Sequence, residues 1–213
     1  MQNRSLPYVW IVIFLAVFSW SVVNPHDYPT WSLEVFPAVL GAAIIWDTRD
    51  TYPLTRLAYI LILIHCVILM VGGHYTYAEV PLFDWIRDEF GQHRNNYDKL
   101  GHFVQGFVPA IVAREIVIRN NVFNSARWRD FFIVCFCLGF SAFYELIEWW
   151  VALLSAEAAE SFLGTQGYTW DTQSDMAYAL VGAVVALLLL GKLHDRQLRL
   201  GGHVDQSPQA GSA

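Results

Sequence analysis

The sequence predicts an all-α fold, a polytopic membrane helix bundle of about six transmembrane helices. Three observations predict it. Hydrophobic residues make up 55% of the 213-residue chain and charged residues only 15%, against about 25% charge in a soluble domain. The apolar residues fall into separate blocks, most of them close to the roughly 20 residues that a bilayer core requires. The basic residues gather at alternate block ends, as in a chain threaded repeatedly through a membrane.

The first block, Tyr8–Val23, follows Arg4 as the apolar part of a signal peptide would. Ser21 to His26 offer no small-x-small cleavage site, so the block reads as a span. The second, Trp31–Trp46, carries Trp at both ends, where amphipathic rings favour headgroup depth. The third, Leu57–Gly72, runs into Gly73-His74. A long connection, Gly73–Lys99, then holds Pro81 and the charged aromatic run Phe83-Asp84-Trp85-Ile86-Arg87, which predicts a short interfacial helix within Leu82–Phe90. The fourth block is Leu100–Ile118. The basic loop Arg119–Asp130 after it suits anionic headgroups. The fifth, Phe131–Leu154, has Trp149 and Trp150 near its end. In the loop Ser155–Gln173, the run Gly164-Thr165-Gln166-Gly167 predicts a tight turn. The sixth block, Ser174–Leu193, spaces Ala179, Gly182, Ala183 and Ala186 for close helix contact. Residues 1–200 therefore read as a single transmembrane domain, and 201–213, built of Gly, Ser, Pro and Gln, as a disordered cytoplasmic tail. Cys66, Cys135 and Cys137 lie inside spans, so they read as apolar packing groups rather than a disulfide framework.

Cytoplasmic loops are rich in Lys and Arg. With both termini cytoplasmic, only Arg87, Arg94 and Lys99 of the 13 basic residues face outward; the reverse topology exports the rest. This orients the chain with both termini in the cytoplasm. The acids run the other way. Asp27, Glu34, Glu79, Asp84, Asp88, Glu89, Glu157 and Glu160 fall on the outer side, with Asp98, Glu145, Glu148, Asp171 and Asp175 there or at outer helix ends. Such a surface attracts cations.

Those outer helix ends carry paired polar groups. Asp98 and His102 are spaced i,i+4, and Gln105 extends their face by a turn. Glu145 and Glu148 are spaced i,i+3, and Asp171 and Asp175 i,i+4. His74, at the end of the third span, and Gln173, between Asp171 and Asp175, are further candidates for the same site. An intramembrane charge costs on the order of 2.5–3.5 kcal/mol, and two carboxylates on one face repel unless a proton or cation lies between them. The mixture of oxygen and nitrogen donors suits Zn, Mn or Mg. Asp98, His102, Asp171 and Asp175 are therefore the expected metal ligands, with Glu145 and Glu148 as the catalytic carboxylates. Each group also has a plainer reading. Asp98 and Asp171 suit helix N-termini, His102 a hydrogen-bonded core histidine, and Glu145 an ion pair with Lys99 or Arg94. Arg114 and Glu115 lie about 25 Å along the helix from Asp98 and stand apart.

These residues carry a family resemblance over about Tyr8 to Lys192. The runs Gly72-Gly73-His74-Tyr75-Thr76-Tyr77, Tyr97-Asp98-Lys99-Leu100-Gly101-His102-Phe103, Tyr144-Glu145-Leu146-Ile147-Glu148-Trp149 and Trp170-Asp171-Thr172-Gln173-Ser174-Asp175-Met176 resemble the YjdF family of bacterial inner-membrane proteins. The Asp98-Lys99-x-x-His102 pattern, with Glu145 and Asp175, is more distantly similar to VanZ-like membrane proteins. Glu148 stands where those chains would carry glutamine, and Ala179 where they would carry asparagine. The first resemblance implies an inner-membrane location, the second a role in the cell envelope or in glycopeptide resistance.

Three functions are compatible with the residues. One is a metal-dependent hydrolase of an envelope lipid or headgroup at the outer leaflet. Another is a non-catalytic module that binds or transports a cation or lipid headgroup. The third is a structural membrane protein whose pairs are helix-end ion pairs. The sequence holds no HExxH helix, GxSxG elbow or Walker loop, no PSGH run of the lipid-phosphatase type, and no basic-aromatic interleaving for nucleic acid.

Overall fold

The computed structural model describes residues 6–154 and 166–202. The expected 164–165 half of the glycine-flanked turn, Arg4, Glu157, Glu160 and the tail beyond 202 lie outside the described residues. The described chain is helical: α1 (Leu6–Ser21), α2 (Tyr28–Thr48), α3 (Arg56–Tyr75), α4 (Pro81–Glu89), α5 (Tyr97–Arg119), α6 (Ala126–Leu154) and α7 (Asp171–Leu200), with a single 3-10 turn at Tyr77–Glu79. Among these residues there is no strand. Five helices, α2, α3, α5, α6 and α7, are long and apolar enough to cross a membrane. The first, α1, is apolar but only 16 residues long, about 24 Å. A short helix stands where the interfacial one is expected, as α4.

The helices outrun the apolar blocks that announce them. α5 begins at Tyr97 and α7 at Asp171, not at Leu100 and Ser174, and α6 begins at Ala126, not at Phe131. Hydropathy marks the part of a helix that sits in lipid; the backbone ladder continues into polar residues at either end. Asp98 and Asp171 thus sit inside the first turn of their helices and are not the caps. True capping falls to Asp27, whose Oδ1 accepts from the Thr30 amide at 2.7 Å, and to Thr55, whose Oγ1 accepts from Ala58 N at 3.3 Å.

The α5–α7 pair is the spine. A Cβ at Gly106 would lie 1.8 Å from the Ala179 carbonyl oxygen, and one at Gly182 would lie 2.0 Å from the Phe103 carbonyl oxygen. The two backbones touch at reciprocal glycines, with Ala179, Ala183 and Ala186 fully buried beside them. Val108, Ile111, Ile133 and Cys137 complete this core. A second core joins Trp10 and Phe14 of α1 to Val35, Ala38, Cys66 and Met70. All three cysteines are free; Cys66 and Cys137 are buried packing groups, while Cys135 is exposed. The Tyr77 ring is a wedge between α3 and α5, where Gly72 and Gly101 make room for it. Gly73 lets α2 close on α3 beside Glu34.

At the end carrying the basic loops, a second buried polar group ties α3, α5 and α7 together. The Glu115 carboxylate, with no exposed surface, accepts from Thr55 N at 2.9 Å and Thr55 Oγ1 at 2.7 Å, from Arg119 Nη1 at 3.1 Å, and from His194 Nε2 at 3.1 Å. Arg114 donates to His194 Nδ1 at 3.1 Å and to Asp195 at 2.7 Å. Every member is bonded, which is the signature of a structural staple. As the helix rise requires, it stands apart from the acidic end.

Candidate functional site

The acidic end of the bundle is where the sequence pairs converge. α5 brings Asp98, Lys99, His102 and Gln105; α6 brings Tyr144, Glu145 and Glu148; α7 brings Asp171 and Asp175; α2 brings Glu34. The same-face spacing on each helix points both members of a pair inward, and all of these except Tyr144, which is half-buried, are buried. Arg94 reaches in from the loop before α5.

The site divides into two sides. On the first, charges are matched. Lys99 Nζ lies 2.6 Å from Asp171 Oδ1 and 2.6 Å from Asp175 Oδ1, with Asp98 Oδ2 at 3.5 Å. Arg94 Nη1 lies 2.5 Å from Asp171 Oδ1 and its Nη2 lies 3.5 Å from Asp98 Oδ2. The backbone of this side is fastened by Gln166, whose Oε1 accepts from Asn95 N at 3.0 Å and whose Nε2 donates to Asn95 O at 2.9 Å.

On the second side, carboxylates outnumber cations. His102 Nε2 lies 3.3 Å from Asp98 Oδ1 and 3.6 Å from Glu145 Oε1. Its Nδ1 meets Gln105 Oε1 at 3.0 Å. A proton on Nδ1 donated to Gln105 leaves Nε2 as a lone-pair donor aimed among the carboxylates, the arrangement that orients a metal-binding histidine. Glu145 Oε1 is buried without a hydrogen-bond partner, the one carboxylate oxygen of this cluster in that state among the described residues. Ligand atoms of Asp98, His102 and Asp175 lie within 4.8 Å of one another, as do those of His102, Glu145 and Glu148. Histidine is common to both sets.

Behind this side lies a cavity of about 230 Å³, lined by Glu34, Tyr77, Asp98, His102, Gln105, Tyr144 and Glu148, and deeper by Cys66 and His65. The Tyr144 hydroxyl donates to Glu34 Oε2 at 3.3 Å, joining α6 to α2 across its edge. Tyr77, outside the spans, stays a neutral hydroxyl. Burial pushes it well above the ordinary range, and the Glu34 charge adds to this.

Not every expected residue comes to the site. His74 turns to the α1–α3 seam, its ring 4.3 Å from that of Trp20 and its Nδ1 3.1 Å from Ser21 O. Gln173 is exposed. Asp171 belongs to the Lys99 and Arg94 side and to neither ligand set. The ion pairs of Lys99 run to aspartates rather than to Glu145. Glu34 and Tyr144 are additions. Glu34 carried a signal, since it is a carboxylate within the second apolar block, three residues before Pro37.

The comparisons with known proteins agree with this architecture. Residues 6–196 match the family described as "Predicted membrane protein (DUF2238)". The inner membrane protein YjdF of Escherichia coli (strain K12) is 49% identical over 180 residues, covering 84% of this chain and 86% of the relative. No solved structure matches. The matched segment contains all seven helices' cores and every residue of the site, and the chain accordingly belongs to the DUF2238 family of multi-pass inner-membrane proteins, with YjdF as a relative.

Proposed function

We propose that the acidic end faces the periplasm, holds a divalent cation at His102, and acts as a metal-dependent hydrolase on the headgroup of an envelope lipid. The observation that carries this reading is the excess of carboxylate around His102. Among the described residues, Glu34, Asp98, Glu145, Glu148, Asp171 and Asp175 are buried beside two fixed cations, Arg94 and Lys99, and the His102 imidazole. The first two cations are already matched to aspartates, and Glu145 Oε1 is left unbonded. A buried carboxylate cluster of that kind is stable when a cation joins it. Asp98, His102, Glu145, Glu148 and Asp175 supply the mixed O and N donors that suit Zn, Mn or Mg, and Lys99 with Asp171 holds Asp175 in place.

A metal bound there would lower the pKa of a coordinated water toward about 7. Glu145 and Glu148 share the His102 side, and whichever is not a ligand would serve as the general base toward such a water. The basic residues, which collect at the opposite end, support the periplasmic orientation. The test is hydrolysis of an envelope lipid mixture by purified protein in detergent or vesicles. Released headgroup should depend on added divalent metal, vanish with chelator, and be absent in His102→Ala and Glu148→Gln. Turnover that persists in both variants, or no turnover by metal-loaded protein, contradicts the hydrolase reading.

A further inference from the structure

The polar cavity is not a closed chamber. Gly41, Ile62, His65 and Pro109 line both it and a larger cleft of about 700 Å³ that runs on toward the basic end. The cleft is floored by α3 and α5 and walled by α2 and α6. Its lining is apolar, from Ile44 and Ile45 on one wall to Phe132 and Phe136 on the other. Along α5 it extends from Val108 to Val117, about 14 Å of helix. Ile44, Phe132 and Phe136 are also exposed, so the cleft opens sideways at a depth that hydrocarbon occupies. An exposed apolar opening of this kind marks a binding groove, and within a bilayer the molecules at hand are lipid chains.

We propose that this cleft holds the hydrocarbon chain of a membrane lipid whose polar head reaches the Asp98–His102–Glu148 cavity. The inference rests on the proposed function and names its substrate class: an amphiphile with a long chain, entering laterally between α2 and α6. The shape favours a chain over a partner helix. The two walls are joined at the polar end by the Glu34–Tyr144 hydrogen bond, so the cleft narrows to side-chain dimensions there, whereas a helix is about 10–12 Å across. The continuity also matters. From Glu34 to Thr48, α2 spans about 21 Å, so a chain lying along it keeps its head among the carboxylates while its tail remains in apolar surroundings. Gly41, Ile62, His65 and Pro109 form the junction of the two halves, and Glu34 and Tyr144 line the polar half beyond it.

The probe is a diacyl phospholipid carrying a diazirine in mid-chain, added to vesicles containing the full chain, with crosslinks mapped by mass spectrometry. Gly41 supplies the test, because it lines the cleft and a Cβ built there meets nothing within 4 Å, so the side chain of Gly41→Trp starts in open space. Gly191, equally open and remote from the cleft on α7, supplies the control. Label is expected on the α6 peptide carrying Phe132 and Phe136, lost in Gly41→Trp and retained in Gly191→Trp. Ile44→Trp, also at the cleft wall, should repeat the loss if Gly41→Trp does not fold. Equal labelling in all variants overturns the inference. So does label confined to outward residues such as Leu188 and Leu189, the pattern expected when a second copy or a partner helix fills the cleft. Metal content measured on the same samples separates the two ideas. Metal without label in the cleft overturns this inference and leaves the proposed function standing; label in the cleft without metal does the reverse.

Discussion

Glu145 and Lys99 are buried to a similar degree but behave oppositely. Glu145 Oε1 has no hydrogen-bond partner, while Lys99 serves three carboxylates. Losing the charge at Glu145 should therefore relieve the metal-free protein and weaken the metal-loaded one. Glu145→Gln is expected to raise the unfolding temperature in chelator and to lower it relative to wild type when divalent metal is added; differential scanning fluorimetry reads both. Lys99→Met leaves Asp171 and Asp175 facing each other without their shared cation. Breaking a buried pair in this way costs about 3–5 kcal/mol, which thermal unfolding in detergent should show with or without metal. Gln105 does not enter either ligand set, yet it fixes the His102 ring. Gln105→Ala should weaken metal binding about 10–100-fold, the usual effect of removing a ligand's orienting partner, with little change in unfolding temperature; calorimetric titration checks it.

At the scale of the helices, contact between α5 and α7 decides whether the site assembles, because Asp98 and His102 lie on one and Asp175 on the other. Gly106→Leu drives a side chain into the Ala179 carbonyl and must part the backbones. Overpacking alone costs about 1–3 kcal/mol, and here backbone has to move. The variant should lose metal binding together with cooperative unfolding, as circular dichroism melts and metal content would show. Much of this was legible locally. Apolar length located the spans, and i,i+3 and i,i+4 spacing located the three pairs, since both depend only on neighbours along one helix. Ala179, Gly182, Ala183 and Ala186 announced a close contact, though not that Gly106 would answer them. What depends on how helices sit side by side was not legible. Glu34 meets Tyr144 across 110 residues, and nothing near Glu34 in sequence names that partner. His74 shares the run of the third span with glycines that touch Tyr77 and Val35, yet its own side chain turns to α1. Lys99 and Arg94 had several acids within reach, and only the fold shows that aspartates took them.

For the whole molecule, the two ends differ in kind. One holds a fully bonded staple around Glu115, the other a carboxylate cluster with an unbonded oxygen, and the lateral cleft reaches from the second toward the first. This asymmetry sets the proposed functional face at the acidic end, and the orientation proposed with it can be tested. A cysteine placed at Phe90, in a background lacking the three native thiols, should react with a membrane-impermeant maleimide added to the periplasmic side. One placed at Asn120 should react only after the membrane is broken. The reverse pattern inverts the proposed topology. The central claim, that the acidic cluster is a cation site, is tested most directly by the divalent metal content of protein purified in mild detergent and dialysed after loading with Zn or Mn. The account predicts retained metal in wild-type protein, lost in His102→Ala while unfolding stays cooperative; wild-type protein that is folded, cooperative and free of metal contradicts it.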